Sequence, residues 1–423
     1  MRLNVVENKI SEFLKKFPLL KKNIKVLYQY LSYLLSKHKK EHHLINPLKE
    51  FSLNGSESFF GYYDKSPINS DGKFVLFHTT EKVSNKKPAR GTVDVVIYDL
   101  NEGTLKTTLK TKTWNWQQGA RLQWLTHDLF AFNDFDEITN TFIAKVYNVS
   151  NEKEVKRFQF PIQDTYEKWY FLSLNYTRLN TLRPDYGYRN LQDLNDQQIH
   201  NLEDDGIWYV DYETGEGHLL ISLKEIVEFK YQTDFEGGKH YVNHIMISPN
   251  GQKFIFLHRY FKKGVRYDRL IQSDLKGNMV LLSDHELVSH YYWYGNDHVF
   301  GYMRGPDGKY GYYMISCSDR NMKLYEDDEL QKFGDGHPNI HGNHFVTDNY
   351  PDKSRTQSLI YGSLKSKKHK VIAQLHNGLK YRDESRCDLH PRLSQDGKMV
   401  FFDTVHSGKR KLCMMKLDNI TIE

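Results

Sequence analysis

Cysteine is scarce in this chain. There are three in 423 residues, Cys317, Cys387 and Cys413, and no CxxC pair. A disulfide framework and a zinc ribbon are thereby excluded, and a reducing cytoplasm fits. Proline numbers 11, and neither a low-complexity tract nor an acidic tail is present. Long disorder is therefore not expected. Long apolar runs are also missing. Lysines interrupt each N-terminal apolar stretch well short of the ~18 residues a membrane span needs. No apolar core leads to a small-residue cleavage site, so no signal peptide is expected. No Walker loop, GxGxxG, GxSxG or HExxH is found. The run Gly334-Asp-Gly-His-Pro338 is not a phosphate loop, because no Lys-Ser/Thr follows it.

What the chain has in plenty is aromatic: 29 Tyr, 24 Phe and 6 Trp. Such residues suit pleated, half-buried surfaces and favour β-structure. The net charge of +6 is unevenly placed. Residues 1–45 hold Arg2 and nine lysines against Glu7, Glu12 and Glu41, so 10 − 3 = +7, and the rest carries 6 − 7 = −1. A near-neutral body argues against nucleic acid as a partner.

The basic arm, residues 1–45, repeats apolar residues at helical spacing: Ile10, Phe13, Leu14, Phe17, Leu20, Ile24, Leu27, Leu31, Leu34. Pro18 is expected to divide it into two helices. Two readings stay open. One is a helical hairpin packed on the body with a solvated basic face. The other is an amphipathic arm lying on an anionic membrane surface.

From about residue 55 the chain repeats a two-part unit. A turn with an aromatic strand comes first, as in Asn69-Ser-Asp-Gly-Lys-Phe-Val-Leu-Phe77, Ser248-Pro-Asn-Gly-Gln-Lys-Phe-Ile-Phe256 and Ser394-Gln-Asp-Gly-Lys-Met-Val-Phe-Phe402. A strand–turn–strand pair follows, at 95–110, 145–160, 207–222, 270–283, 312–326, 359–374 and 411–422. Seven units with about four strands each predict an all-β, seven-bladed β-propeller over 46–423, with the short α-helical arm before it. The third unit has only a weak first part, near Tyr170–Asn180. Ring closure needs a strand from near residues 46–60. The long stretches 161–206 and 223–243 are candidate loops over the mouth.

Four histidines keep step with the repeat: His244, His290, His337 and His390. In a ring, one register means one rim. The neighbouring runs add Asp64, Lys65, Trp114, Trp116, Gln118, Arg121, Trp293, Asp335, Asp388 and Arg392. Imidazoles can transfer protons or ligate a divalent metal, with His290, His337 and His390 as candidate ligands. Arg121 and Arg392 suit a carboxylate, and Trp114, Trp116 and Trp293 suit stacked sugar rings. A structural alternative stays open, because repeat proteins also place a histidine at one register to bond its own blade. Asp403 with His406 is a weaker pair.

These residues resemble the TolB/WD40-like propellers and, within them, the oligogalacturonate lyase group (polysaccharide lyase family 22). The likeness covers about residues 55–423. His290-Tyr-Tyr-Trp293 is similar to that group's metal-binding His followed by an aromatic pair. Cys387-Asp-Leu-His390-Pro-Arg392 resembles its Gln-x-x-His-x-His segment, with Cys and Arg in place of Gln and the second His. The resemblance implies a divalent metal such as manganese and β-elimination on short uronate oligomers in the cytoplasm. The runs FGYYDKSP, WNWQQGARLQWL, DGHP and CDLHPR also look like propellers encoded among bacterial surface-polysaccharide genes.

The expected function is lyase-like action on an acidic glycan or oligosaccharide, with His244, His290, His337, His390 and Asp388 as catalytic candidates. Substrate contacts would come from Asp64, Lys65, Gln118, Arg121, Arg392 and the three tryptophans. The alternatives are a non-catalytic glycan-binding or scaffold propeller at the inner membrane, and a glycosyltransferase lacking a recognisable nucleotide-sugar signature. The expected location is cytoplasmic, peripheral at the inner membrane. If the arm is the membrane contact, deleting residues 1–42 will move the protein from the membrane pellet to the supernatant. Continued pelleting rejects the membrane reading.

Overall fold

A computed structural model of the chain describes Tyr30, Leu31, Tyr33 and residues 42–81 and 88–422. The rest of the expected arm lies outside the described residues up to position 41. No helix among the described residues is long and apolar enough to cross a membrane.

Seven antiparallel sheets form the blades of a propeller. The first strands of the blades are Glu57–Phe59, Gln123–Trp124, Asp164–Tyr166, Lys239–Ile247, Val288–Tyr294, Asn339–His341 and Arg392–Leu393. Several successive first strands touch one another, which places them on the central axis. The second strands do not simply alternate. In Phe74–Thr80 and Lys253–Lys262 consecutive residues are buried. Both faces of each blade are covered by its neighbours, so both must be apolar. The expected turns join first to second strands, with Gly72, Gly251 and Gly397 at φ of +70°, +69° and +70°.

Two blades depart from the repeat as read. In blade 3 the expected first part is the strand Tyr170–Leu174. The Asn175 side chain then accepts from Arg178 N and starts the helix Tyr176–Leu182. In blade 7 the stretch 411–422 gives one strand, Lys411–Lys416, not two. The outer strand is Leu48–Phe51, pairing Leu48 with Met415 and Phe51 with Leu412. The ring closes between chain ends, as the repeat count required. His43–Leu44, at the end of the expected helical arm, is a strand instead, on the edge of blade 6.

Adjacent blades are clasped by a recurring polar contact. His78, Asn133, Asp348 and Asp403 are each the fifth residue of a second strand. Each accepts backbone N–H groups from the inner segment of the next blade. His78 Nε2 takes Ala120 N at 3.0 Å, and Asn133 Oδ1 takes Ile162 N at 2.7 Å. Asp348 takes Leu389 N and His390 N at 3.1 and 3.2 Å. Asp403 takes Phe60 N and Gly61 N at 3.0 and 3.1 Å, across the closure. These N–H groups lie outside the sheet ladders, so a side chain must satisfy them.

Burial pushes the imidazole of His78 down to about 3 and that of His240 down to about 4. Both are neutral in the fold and take a proton near 6.5 when unfolded. Their contribution is complete above pH 6.5 and is lost as pH falls below it. The loss is about 1.4 kcal/mol for each, one pH unit below that point. Urea unfolding between pH 7 and 5 will show falling stability, with a shallower slope in His78→Gln. A flat profile in the native protein would contradict this assignment.

Candidate functional site

The inner strands do not run smoothly past the rim register. Arg121, His244 and His390 have φ of +55°, +55° and +45°, unusual for residues other than glycine. The ladder slips between Asn243 and Met246 and again between Val288 and His290. A bulge turns a side chain away from the regular strand direction. In blade 1 the same register falls at Gly61, φ +128°. A Cβ there would lie 2.6 Å from the Gln118 carbonyl carbon, so only glycine fits.

The four in-step histidines form one cluster. Ring centroids are 5.8 Å apart for His244–His290, 3.9 Å for His290–His337 and 4.3 Å for His337–His390. The Tyr62 ring stands among them, 4.9 Å from His244 and 5.0 Å from His390. Its hydroxyl is 2.5 Å from His244 Nε2. Tyr291 helps to place His244 by donating its hydroxyl to the His244 carbonyl.

Three imidazoles are oriented through Nδ1. His290 Nδ1 lies 3.2 Å from Asp335 Oδ1, and Ser289 Oγ donates to Asp335 Oδ2 at 2.6 Å. His337 Nδ1 is 2.8 Å from Asp348 Oδ1, and His390 Nδ1 is 2.8 Å from the Gly61 carbonyl. An Nδ1–H given to an oxygen leaves Nε2 as a lone-pair donor. The buried Nε2 atoms of His337 and His390 have no hydrogen-bond partner among the described residues. His337, His390 and Asp388 each offer one ligand atom, and these three atoms lie within 4.8 Å of one another. Two orphaned nitrogens and a carboxylate fit a divalent cation.

The electrostatics divide the cluster. Burial, aided by neighbouring cations and imidazoles, holds His244, His290 and His390 well below the usual histidine range. Burial pulls His337 down, but the carboxylates of Asp348, Asp388 and Asp335 together move it upward. Burial raises Asp335 to about 6 and lifts Tyr62 and Tyr350 well above the usual phenol range.

Other expected contacts are committed elsewhere. Arg121 is buried in a bidentate pair with Asp64, at 3.0 and 2.8 Å, and also donates to the Gln163 carbonyl. Arg392 pairs with Asp403 at 2.8 Å and binds the carbonyls of Gly61 and Tyr62. Neither presents the free guanidinium fork expected for a substrate carboxylate. Lys65 pairs with Asp164. Trp114 and Trp116 are core residues, packed edge to face against each other at 4.8 Å. Trp293 is buried and donates Nε1 to the Met246 carbonyl at 3.0 Å. Three tryptophans so placed offer no face to a sugar. The Gln118 amide is buried without a partner among the described residues. Cys387, where the lyase pattern has Gln, packs with Tyr381 and Val405.

A third arginine, Arg386, stands beside the cluster with its side chain 22% exposed, and it too is already paired. Its Nε is 2.8 Å from Asp388, its Nη1 2.8 Å from Asp185, and its Nη2 3.1 Å from the Tyr186 hydroxyl. Asp185 and Tyr186 come from the long insertion of blade 3, as its length suggested. Tyr186 is 5.5 Å from His244, and Tyr350 is 5.7 Å from His337, both ring to ring. The runs around residues 61–65 and 386–392 contained Tyr62 and Arg386. Nothing in their spacing marked them above Trp114 or Arg121.

No protein-family model matches the chain, and no curated protein matches it. Solved structures do. An oligogalacturonate lyase in complex with manganese is similar at TM-score 0.59 and 13% identity, over 90% of this chain and 98% of that one. An oligogalacturonate lyase from Vibrio parahaemolyticus gives TM-score 0.59 and 13% identity, over 90% and 97%. The β-propeller domain of the trilobed protease from Pyrococcus furiosus reaches 0.45 at 10% identity, over 82% and 91%. The protein is a seven-bladed propeller, with oligogalacturonate lyases among its structural neighbours. At these identities the likeness is one of fold.

Asp348 serves two blades and one imidazole, so its loss strands several buried donors. Asp348→Ala is expected to cost about 3 kcal/mol in denaturant unfolding. A cost under about 1 kcal/mol would show that the clasp contributes little.

Proposed function

We propose that the histidine cluster acts on an acidic glycan or oligosaccharide by lyase-type β-elimination, in cell-surface polysaccharide metabolism. The observation that carries this reading is the convergence of three imidazoles held neutral by burial, two unpartnered Nε2 atoms and a carboxylate beside high-pKa phenols. The manganese complex of a lyase on the same fold supports it. His337, His390 and Asp388 would hold a divalent cation. When bound, the cation would neutralise the uronate carboxylate and so acidify the neighbouring C–H.

The chain's own groups supply the rest. Asp335 holds His290 by Nδ1, so Nε2 accepts the proton α to the carboxylate. The C–H electron pair becomes the new C=C bond and the β C–O bond breaks. The leaving oxygen takes its proton from Tyr62, whose buried hydroxyl stays protonated until that moment. Arg386 would hold the substrate carboxylate by exchanging its contact with Asp185 for it, leaving Asp388 to the cation. The basic N-terminal arm would keep the protein against an anionic membrane surface. A non-catalytic glycan-binding propeller is the second reading, favoured by the burial of all four imidazoles, each 1–4% exposed.

Incubation with a panel of uronate glycans, with and without manganese, will give rising ultraviolet absorbance as unsaturated uronate forms. His290→Ala and Tyr62→Phe will lower the rate by about 10²-fold or more. No absorbance gain on any substrate, with glycan binding retained, favours the non-catalytic reading.

A further inference from the structure

A second group of metal-ligating side chains lies outside the histidine cluster, at the seam where the chain ends meet. Glu50 is on the N-terminal strand Leu48–Phe51 and stands directly opposite Cys413 on the last strand. Opposed residues of an antiparallel pair project from the same face. His406, in the turn between the last two strands, reaches back to them. Its Nε2 is 3.4 Å from Glu50 Oε1, and its Nδ1 is 3.4 Å from Thr404 Oγ1. One donor atom from each of Glu50, His406 and Cys413 lies within 4.8 Å of the other two. The ring of His42 meets that of His406 edge-on at 5.1 Å.

This is not a collection of surface carboxylates. It combines a buried thiol, an imidazole that is 13% exposed and one carboxylate, brought together from both ends of the chain. Sulfur, nitrogen and oxygen donors in one small volume match the tetrahedral preference of zinc. None of these residues takes part in the proposed elimination. Asp403, once a candidate partner for His406, is occupied by the backbone of blade 1.

We propose that Glu50, Cys413 and His406 form a structural zinc site that fastens the N-terminal strand to blade 7. On binding, the Cys413 thiol gives its proton to solvent and the sulfur forms the metal bond, with no change of oxidation state. Metal held only by the closed ring stabilises that closure. The site would therefore resist separation of the two strands whose pairing completes the propeller.

Cobalt(II) reports the ligand set directly. Added to the reduced full-length protein, it will give a thiolate-to-cobalt charge-transfer band that zinc abolishes. The band will vanish in Cys413→Ser, fall at least tenfold in affinity in Glu50→Gln and His406→Gln, and persist in His337→Gln/His390→Gln. Zinc will raise the unfolding temperature of the native protein and of the histidine-cluster variant, but not of Cys413→Ser or Glu50→Gln. No thiolate band in the native protein overturns the site. So does a band unchanged in Cys413→Ser, which would assign it to Cys317 or Cys387. Loss of lyase activity in the cluster variant, with zinc binding at the seam intact, separates the two proposals.

Discussion

The structure depends on one contact more than any other: a polar side chain at the fifth position of a second strand, accepting N–H groups from the next blade. A propeller leaves its inner strands without a sheet partner on the axial side. Where the inner segments leave the sheet ladder, their amides would be buried and unbonded, each at a cost of about 1–3 kcal/mol. His78, Asn133, Asp348 and Asp403 remove that cost at four junctions. At Ala120, His390 and Gly61 the clasped amides adjoin or belong to the left-handed backbone of Arg121, His390 and Gly61. Blade packing and side-chain placement at the rim are consequences of the same bonds.

The rim inherits its chemistry from this scaffold. Asp348 clasps blade 7 and orients His337, and the Gly61 carbonyl that orients His390 belongs to the segment held by Asp403. Arg392 binds that segment as well. The imidazoles are thus fixed before any ligand arrives, with their Nε2 atoms left as the available donors. Preorganisation of this kind suits proton transfer and metal ligation alike. The same closure segment links the rim with the seam, since Phe51 and Glu50 lead directly into it.

Some of the site was readable along the chain. The four histidines fell at one register, and one register in a ring is one place, so their convergence followed from the repeat. The roles of the arginines and tryptophans did not follow. Arg121 and Arg392 stood in the right runs, yet each found a buried carboxylate, Asp64 and Asp403, distant by 57 and 11 residues. Trp114 and Trp116 met Phe59 and each other in the wedge between blades, where large rings gain most from burial. Arg386 and Tyr186 came together across 200 residues, through an insertion whose path no local pattern records.

The sequence by itself determined the seven units, the β class, the glycine turns and the shared register of the histidines. All of these are local or periodic, set by strand alternation, φ-permissive turns and repetition. Tertiary structure decided which polar groups pair, which strand closes blade 7 and which imidazole nitrogens remain available. Those outcomes depend on the competition of each buried donor for acceptors from other blades, and proximity of that kind is created only when the ring closes.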